Sequence, residues 1–162
     1  MEKVYFYPSE NFQPKTKNVL NKIRRELLLV FPSAEAYDMG STSIPGLLTK
    51  GDLDINLRVG KKDYKRAISY MSKSFDRSQL ENWNDGFASF ASKGDIEGIP
   101  VGIQITVKGH EEDKFFKQLE LLKSDPSLIK KYNDIKKEYN GREMDDYRKA
   151  KWKFIEDNLE NK

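Results

Sequence analysis

From Lys15 to Phe31 the apolar residues Val19, Leu20, Ile23, Leu27, Val30 and Phe31 recur at steps of three and four. That period predicts an amphipathic helix, and Pro32 stops it. Ala34 to Met39 reads as a short strand running into Gly40-Ser41-Thr42-Ser43, and the turn signals Pro45-Gly46 and Lys50-Gly51 make 40–51 a loop. Asp52 to Val59 alternates polar and apolar residues at every step, the signature of a half-buried strand. A second helix fits 61–75, with Tyr64, Ala67, Ile68 and Met71 on one face, and Phe87 to Ala91 and Pro100 to Val107 read as further strands. The last third is helical: Phe115, Phe116, Leu119 and Leu122 form one stripe, and Leu128, Tyr132, Ile135 and Tyr139 form the next. Asp125-Pro126 lies between them as N-cap and first helical residue. Beyond Asn140-Gly141, the residues Tyr147, Ala150, Phe154, Ile155 and Leu159 define a final helix. Residues 1–14, ending in Phe12-Gln13-Pro14, read as an extended arm, and 114–160 as C-terminal helices. Strands in the middle with helices before and after predict an α+β fold, a mixed β-sheet covered by helices, in a single domain over 1–162.

Composition narrows the chemistry. The chain has no cysteine, which removes disulfides, thiol nucleophiles and Cys-ligated zinc. Its single histidine, His110, leaves no His-rich metal site. The net charge of +3 comes from 29 basic and 26 acidic residues that are interspersed, which disfavours nucleic acid as a partner. The longest apolar run, Leu27 to Phe31, is far short of the roughly 20 residues that cross a bilayer. Met1-Glu2-Lys3 leads into Tyr-Phe-Tyr-Pro without signal-peptide architecture, so no membrane association and a cytoplasmic location are expected.

One segment carries candidate chemistry: Gly40-Ser41, then ten residues, then Asp52-Leu53-Asp54. The period of two in a strand puts Asp52 and Asp54 on one face. Two carboxylates side by side repel unless a cation sits between them, and Mg²⁺ accepts one or two protein carboxylates together with substrate phosphates. A Gly-Ser turn offers backbone N–H groups unobstructed by a Cβ, and a hydroxyl donor. Lys50 adds positive charge next to the strand. Together these point to a nucleoside triphosphate site with metal-assisted phosphoryl chemistry. On the residues alone, the alternative is that Asp52 and Asp54 are the solvent face of an edge strand.

Gly-Ser followed some ten residues later by Asp-hydrophobic-Asp resembles the nucleotidyltransferases related to DNA polymerase beta. The wording Met39-Gly-Ser-Thr-Ser-Ile-Pro-Gly through Asp52-Leu-Asp-Ile-Asn-Leu-Arg58 is similar to the GrpB family of that superfamily, also called UPF0157. Asp125-Pro126, Tyr132 and Tyr147-Arg-Lys-Ala-Lys151 extend the resemblance to roughly residues 15–159. It implies a nucleotidyltransferase-like mixed sheet with a helical C-terminal third. In the superfamily the Gly-Ser turn, here Gly40 and Ser41 with Thr42 and Ser43 beside them, holds triphosphate oxygens. The paired carboxylates, here Asp52 and Asp54, hold Mg²⁺. The reaction implied is attack by an acceptor on the α-phosphorus of a nucleoside triphosphate, ATP foremost, with pyrophosphate leaving. The partners expected are therefore a nucleotide and a small-molecule acceptor. A nucleotide-binding or regulatory module that has lost transfer is the other outcome. Active members of the superfamily carry a third carboxylate on a neighbouring strand, where this chain offers Gln104, an amide that takes no proton and binds Mg²⁺ poorly. Asp95, Glu97, Glu81 and Asp85 are conceivable substitutes, and Asp38 stands where many family members have histidine.

Tyr147 and Lys151, four apart on one helical face, match a Tyr-x-x-x-Lys pattern of the family that would bring Lys151 to the triphosphate, with Lys136 a weaker candidate of the same kind. Arg58 shares the parity of Asp54 and either lines the same cleft or neutralises it. His110 is expected to be a cap or turn residue. Trp83, in the polar turn Asn82-Trp83-Asn84, is either a stacking lid or simple loop packing.

Overall fold

The structure is a computed structural model that describes residues 1–160. Among the described residues seven strands form, β1 (Tyr7–Pro8), β2 (Glu35–Asp38), β3 (Leu48–Thr49), β4 (Leu53–Val59), β5 (Phe75–Ser78), β6 (Phe87–Ser92) and β7 (Val101–Val107). Five α-helices accompany them, α1 (Gln13–Val30), α2 (Tyr64–Met71), α3 (Phe115–Ser124), α4 (Pro126–Tyr139) and α5 (Met144–Asn158). The main sheet runs β2-β4-β7-β6-β5, with β4 and β7 parallel and the other neighbours antiparallel. It is the mixed sheet with helices that the alternating pattern predicts.

One face of this sheet is apolar. Leu53, Ile55, Leu57 and Val59 of β4 and Val101, Ile103, Ile105 and Val107 of β7 pack under Val19, Leu20 and Leu27 of α1 and Ala67 and Met71 of α2. The other face carries the alternate residues. The register sets Asp54 beside Gly102 and Asn56 beside Gln104, with Ala91 and Ser89 next in their rows. The C-terminal helices build a second core from Leu119, Leu122, Leu128, Tyr132, Phe154 and Leu159, joined by Ile44 and Leu47 of the loop before β4. Asp125 caps α4 by accepting from the Ser127 N–H at 2.9 Å, as Asp-Pro at a helix start predicts. Among the described residues no helix is long and apolar enough to cross a membrane.

Three local features differ from the sequence reading. β5 starts at Phe75, the last residue read as helix, and runs on through residues given no element, because α2 stops at Met71 and the turn at 72–74 leads into an edge strand. The arm is not simply extended: α1 starts at Gln13, and β1 pairs with β3. Val4 is buried and tied down, its N–H donating to Arg142 O at 2.9 Å and its carbonyl accepting from Gly141 at 2.7 Å.

Candidate functional site

The turn after β2 organises itself. The Asp38 carboxylate accepts from the Gly40 N–H at 2.9 Å and from the Thr42 hydroxyl at 2.7 Å, and the Ser43 hydroxyl donates to Gly40 O at 2.7 Å. These bonds wind Ser41–Ser43 into a single 3₁₀ turn. Thr42 and Ser43 thereby spend their hydroxyls on the turn, and Ser41 lines a cavity of about 780 Å³. The Met39 N–H donates to Asp54 O at 2.8 Å, which fastens the turn to β4.

Gly40, Ser41, Lys50, Asp52, Asp54, Gln104 and Lys151 all line this cavity. It lies between the polar face of the sheet and the C-terminal helices. Asp54 fits there because both neighbours lack side chains. A Cβ on Gly102 would stand 2.9 Å from Asp54 Oδ1, and one on Gly40 would stand 3.2 Å from Oδ2. Burial, and after it the charge of Asp52, raises the Asp54 carboxyl to about 7, with Lys151 and Lys50 opposing and Asp38 adding. Asp38, itself desolvated, is raised to about 6 against the hydrogen bonds from Thr42 and Gly40. Lys50 Nζ lies 3.8 Å from Asp52 Oδ2. Lys151 is held above its ordinary value, by Tyr132 first and then by Asp54 and Asp52, against desolvation. Two lysines, Lys50 and Lys151, and two aspartates, Asp52 and Asp54, thus share the lining of one cavity.

The other predicted residues lie elsewhere. Tyr147 is buried among Phe6, Tyr139 and Tyr132 and does not reach the cavity, and burial pushes its phenol well up. Arg58 is paired with Asp113 at 2.7 Å and with Glu35, stacks 4.4 Å from the Phe116 ring, and stands outside the cavity lining. Trp83 is loop packing: its indole N–H donates to Ser78 O at 2.7 Å, and its ring lies against Phe90. His110 is a turn residue whose Nδ1 accepts from the Glu112 N–H at 3.1 Å, which leaves Nε2 to donate to Asp85 at 2.9 Å. Glu97 pairs with Lys22, and of the carboxylates weighed as a third ligand only Glu81 reaches the cavity. Gln104 Oε1 is buried and has no hydrogen-bond partner.

Two residues of the site escaped sequence reasoning. Arg148 and Trp152 of α5 stand four apart on the cavity rim, Trp152 with 54% of its surface exposed. Within a helix dense in charge they carry no periodic signal that separates them from solvent-facing residues.

Among the described residues no three His, Cys, Asp or Glu side chains gather as a metal cluster. Asp52 and Asp54, which line the cavity, are hard oxygen donors of the kind that would suit Mg²⁺ together with phosphate and water.

The family model described as GrpB protein matches residues 8–161. A UPF0157 protein of Vibrio cholerae is 26% identical over 155 residues, covering 96% of this chain and 81% of that protein. The conserved protein GrpB from Enterococcus faecalis superposes with a TM-score of 0.70 at 17% identity, over 95% of this chain and 96% of that one. The Cid1 poly(U) polymerase with MgGTP bound superposes with a TM-score of 0.57 at 16% identity, over 80% of this chain. This chain matches only 42% of the length of Cid1 in that comparison. Both solved structures are similar in fold, and the fold is nucleotidyltransferase-like.

Proposed function

The chain belongs to the GrpB family, and from that membership we propose that it is a Mg²⁺-dependent nucleotidyltransferase, moving a nucleoside monophosphate from a nucleoside triphosphate such as ATP onto a small-molecule acceptor. The observation that carries the reading is the convergence of Ser41, Asp52, Asp54 and Lys151 on one cavity. Asp52 and Asp54 would hold the cation. Bound there, Mg²⁺ would offset the charge on the phosphates and on the departing pyrophosphate. Ser41 and the Gly40 turn receive phosphate oxygens, Lys50 and Lys151 supply fixed positive charge, and Trp152 offers a face on which a nucleobase can stack. An acceptor oxygen bonds to the α-phosphorus, the α–β bridging P–O bond breaks, and pyrophosphate takes the electron pair. The acceptor proton passes to solvent, since Gln104 accepts none.

A second reading has a specific observation behind it. Gln104 in place of a third carboxylate favours a module that binds the nucleotide without transferring it. Screening hydroxyl- and amine-bearing metabolites with the four nucleoside triphosphates and Mg²⁺, and measuring released pyrophosphate, separates the two. Acceptor-dependent pyrophosphate that disappears in Asp52→Asn supports transfer. Tight Mg²⁺-dependent binding with no pyrophosphate from any acceptor supports the module, and absence of binding refutes both.

A further inference from the structure

Lys136, on α4, is the most deeply buried charged side chain of the described residues, at 1% exposure. Its Nζ donates to Ser41 Oγ at 2.7 Å and to the Leu48 carbonyl at 2.6 Å, and it faces the Tyr132 ring at 4.1 Å. Among the described residues it makes no ion pair. A buried ammonium without a carboxylate is unfavourable, and an aromatic face offsets only part of that cost. Burial pushes the group well below its ordinary pKa, Lys151 and Lys50 add to the effect, and Asp52 opposes it. An uncharged side chain such as Met would fill the same space at lower cost, so packing does not explain a lysine here.

Its contact with Ser41 does. A serine hydroxyl has one hydrogen to give and lone pairs to receive with. Lys136 occupies an acceptor position on Ser41 Oγ, and among the described residues the Ser41 hydroxyl donates to no protein acceptor. The two neighbouring hydroxyls behave in the opposite way, Thr42 donating to Asp38 and Ser43 to Gly40 O. Ser41 is therefore the hydroxyl of the turn whose hydrogen is left for the cavity. Lys136 itself is not among the residues lining that cavity, and Ser41 stands in front of it.

We propose that Lys136 is a positioning residue for the phosphate-binding turn: it fixes Ser41 Oγ as an acceptor from behind, so that the Ser41 hydroxyl proton is committed to a phosphate oxygen in the cavity. The inference rests on the reading of this cavity as a nucleoside triphosphate site. It assigns Lys136 an action through Ser41, without contact to the ligand. It also explains how a hydroxyl, which can either donate or accept, is made to discriminate in favour of an unprotonated anion.

The test is a double-mutant cycle read by calorimetric titration of α,β-methylene-ATP with Mg²⁺ into wild type, Lys136→Met, Ser41→Ala and the double variant, with thermal melts of each. Lys136→Met is expected to bind roughly tenfold more weakly, the scale of one hydrogen bond to a charged group. The double variant should bind no more weakly than Ser41→Ala. Lys136→Met should also melt no lower than wild type, because it removes a buried unpaired charge. Unchanged affinity in Lys136→Met, or losses that add in the double variant, would overturn the proposal while leaving the nucleotide site intact. Should Lys136→Met not fold, Lys136→Leu, which also removes the donor, takes its place, and the same loss and the same non-additivity with Ser41→Ala are required of it. Absence of triphosphate binding in wild type sinks the functional reading instead, and this inference with it.

Discussion

The two faces of β4 are made by the same seven residues and solve opposite problems. On one, Leu53, Ile55, Leu57 and Val59 are each 0% exposed and need only shape complementarity. On the other, Arg58, Asn56 and Asp54 must satisfy charge and hydrogen bonding, and the degree to which they do so falls along the strand. Arg58 is paired with Asp113 and Glu35. Asn56 accepts from the Tyr37 hydroxyl at 2.7 Å and donates to Gln104 O and Thr106 Oγ1, both at 3.0 Å. Asp54 accepts no side-chain hydrogen bond from the described residues, and the Gln104 oxygen one row away is an orphan. A polar sheet face is therefore not by itself a site. The site is where satisfaction stops, because native interiors rarely leave polar groups unmatched without a reason.

The contrast between the faces can be broken first from the apolar side. Ile55→Ala removes a fully buried side chain and should cost about 2–5 kcal/mol in urea unfolding, while the folded fraction keeps its nucleotide affinity. A cost near zero would mean that this face is not the stabilising one. The second variant attacks the polar face, where the expected effect has the opposite sign. Because the folded Asp54 carboxyl is raised from 3.8 to about 7, the native protein holds that proton more tightly than the unfolded chain does. Its stabilising contribution is full below about pH 4 and is lost as the pH rises through 7. In metal-free buffer Asp54→Asn should match wild type near pH 4 and exceed it above pH 7, by on the order of 2 kcal/mol after allowance for partial solvent access. Denaturation curves across that pH range check it, and a variant that is less stable at pH 8 contradicts it. The smallest effect is expected at the rim. Trp152→Ala should weaken nucleotide binding about five- to tenfold, within the range for one base–aromatic stack, and leave the melting temperature unchanged since the residue is 54% exposed. Equal binding of all nucleotides by both proteins would remove Trp152 from the site.

What the sequence discloses follows how local the cause is. The alternation of Asp52–Val59, the helical stripes and the Asp125-Pro126 cap are local, and they are legible. β5 is not, because Phe75-Asp-Arg-Ser sits at a sheet edge and half-buries only its ends, which leaves no alternation against a continuous core. The site divides in the same way. Gly40, Ser41, Asp52 and Asp54 are carried by a short spacing and a family resemblance. Lys136 reads only as a weaker candidate of the same kind as Lys151, since its burial and its contact with Ser41, 95 residues away in sequence, leave no local pattern. Tyr147 shows the converse error of pattern, a residue matching a family spacing whose side chain is spent in the core. Gln104 is visible as a departure, but that its oxygen is sealed without a partner is a property of packing alone.

We propose that the unsatisfied end of the polar face is kept for a metal–nucleotide complex at the expense of stability. It is tested most directly by melting wild type and Asp54→Asn side by side, without ligand and with Mg²⁺ and each nucleoside triphosphate. The account predicts that wild type is stabilised by at least one triphosphate only when Mg²⁺ is present, and that Asp54→Asn melts higher alone at pH 8 and gains nothing from the pair. An Asp54→Asn variant that melts lower alone, or that retains the Mg²⁺-dependent gain, would contradict it.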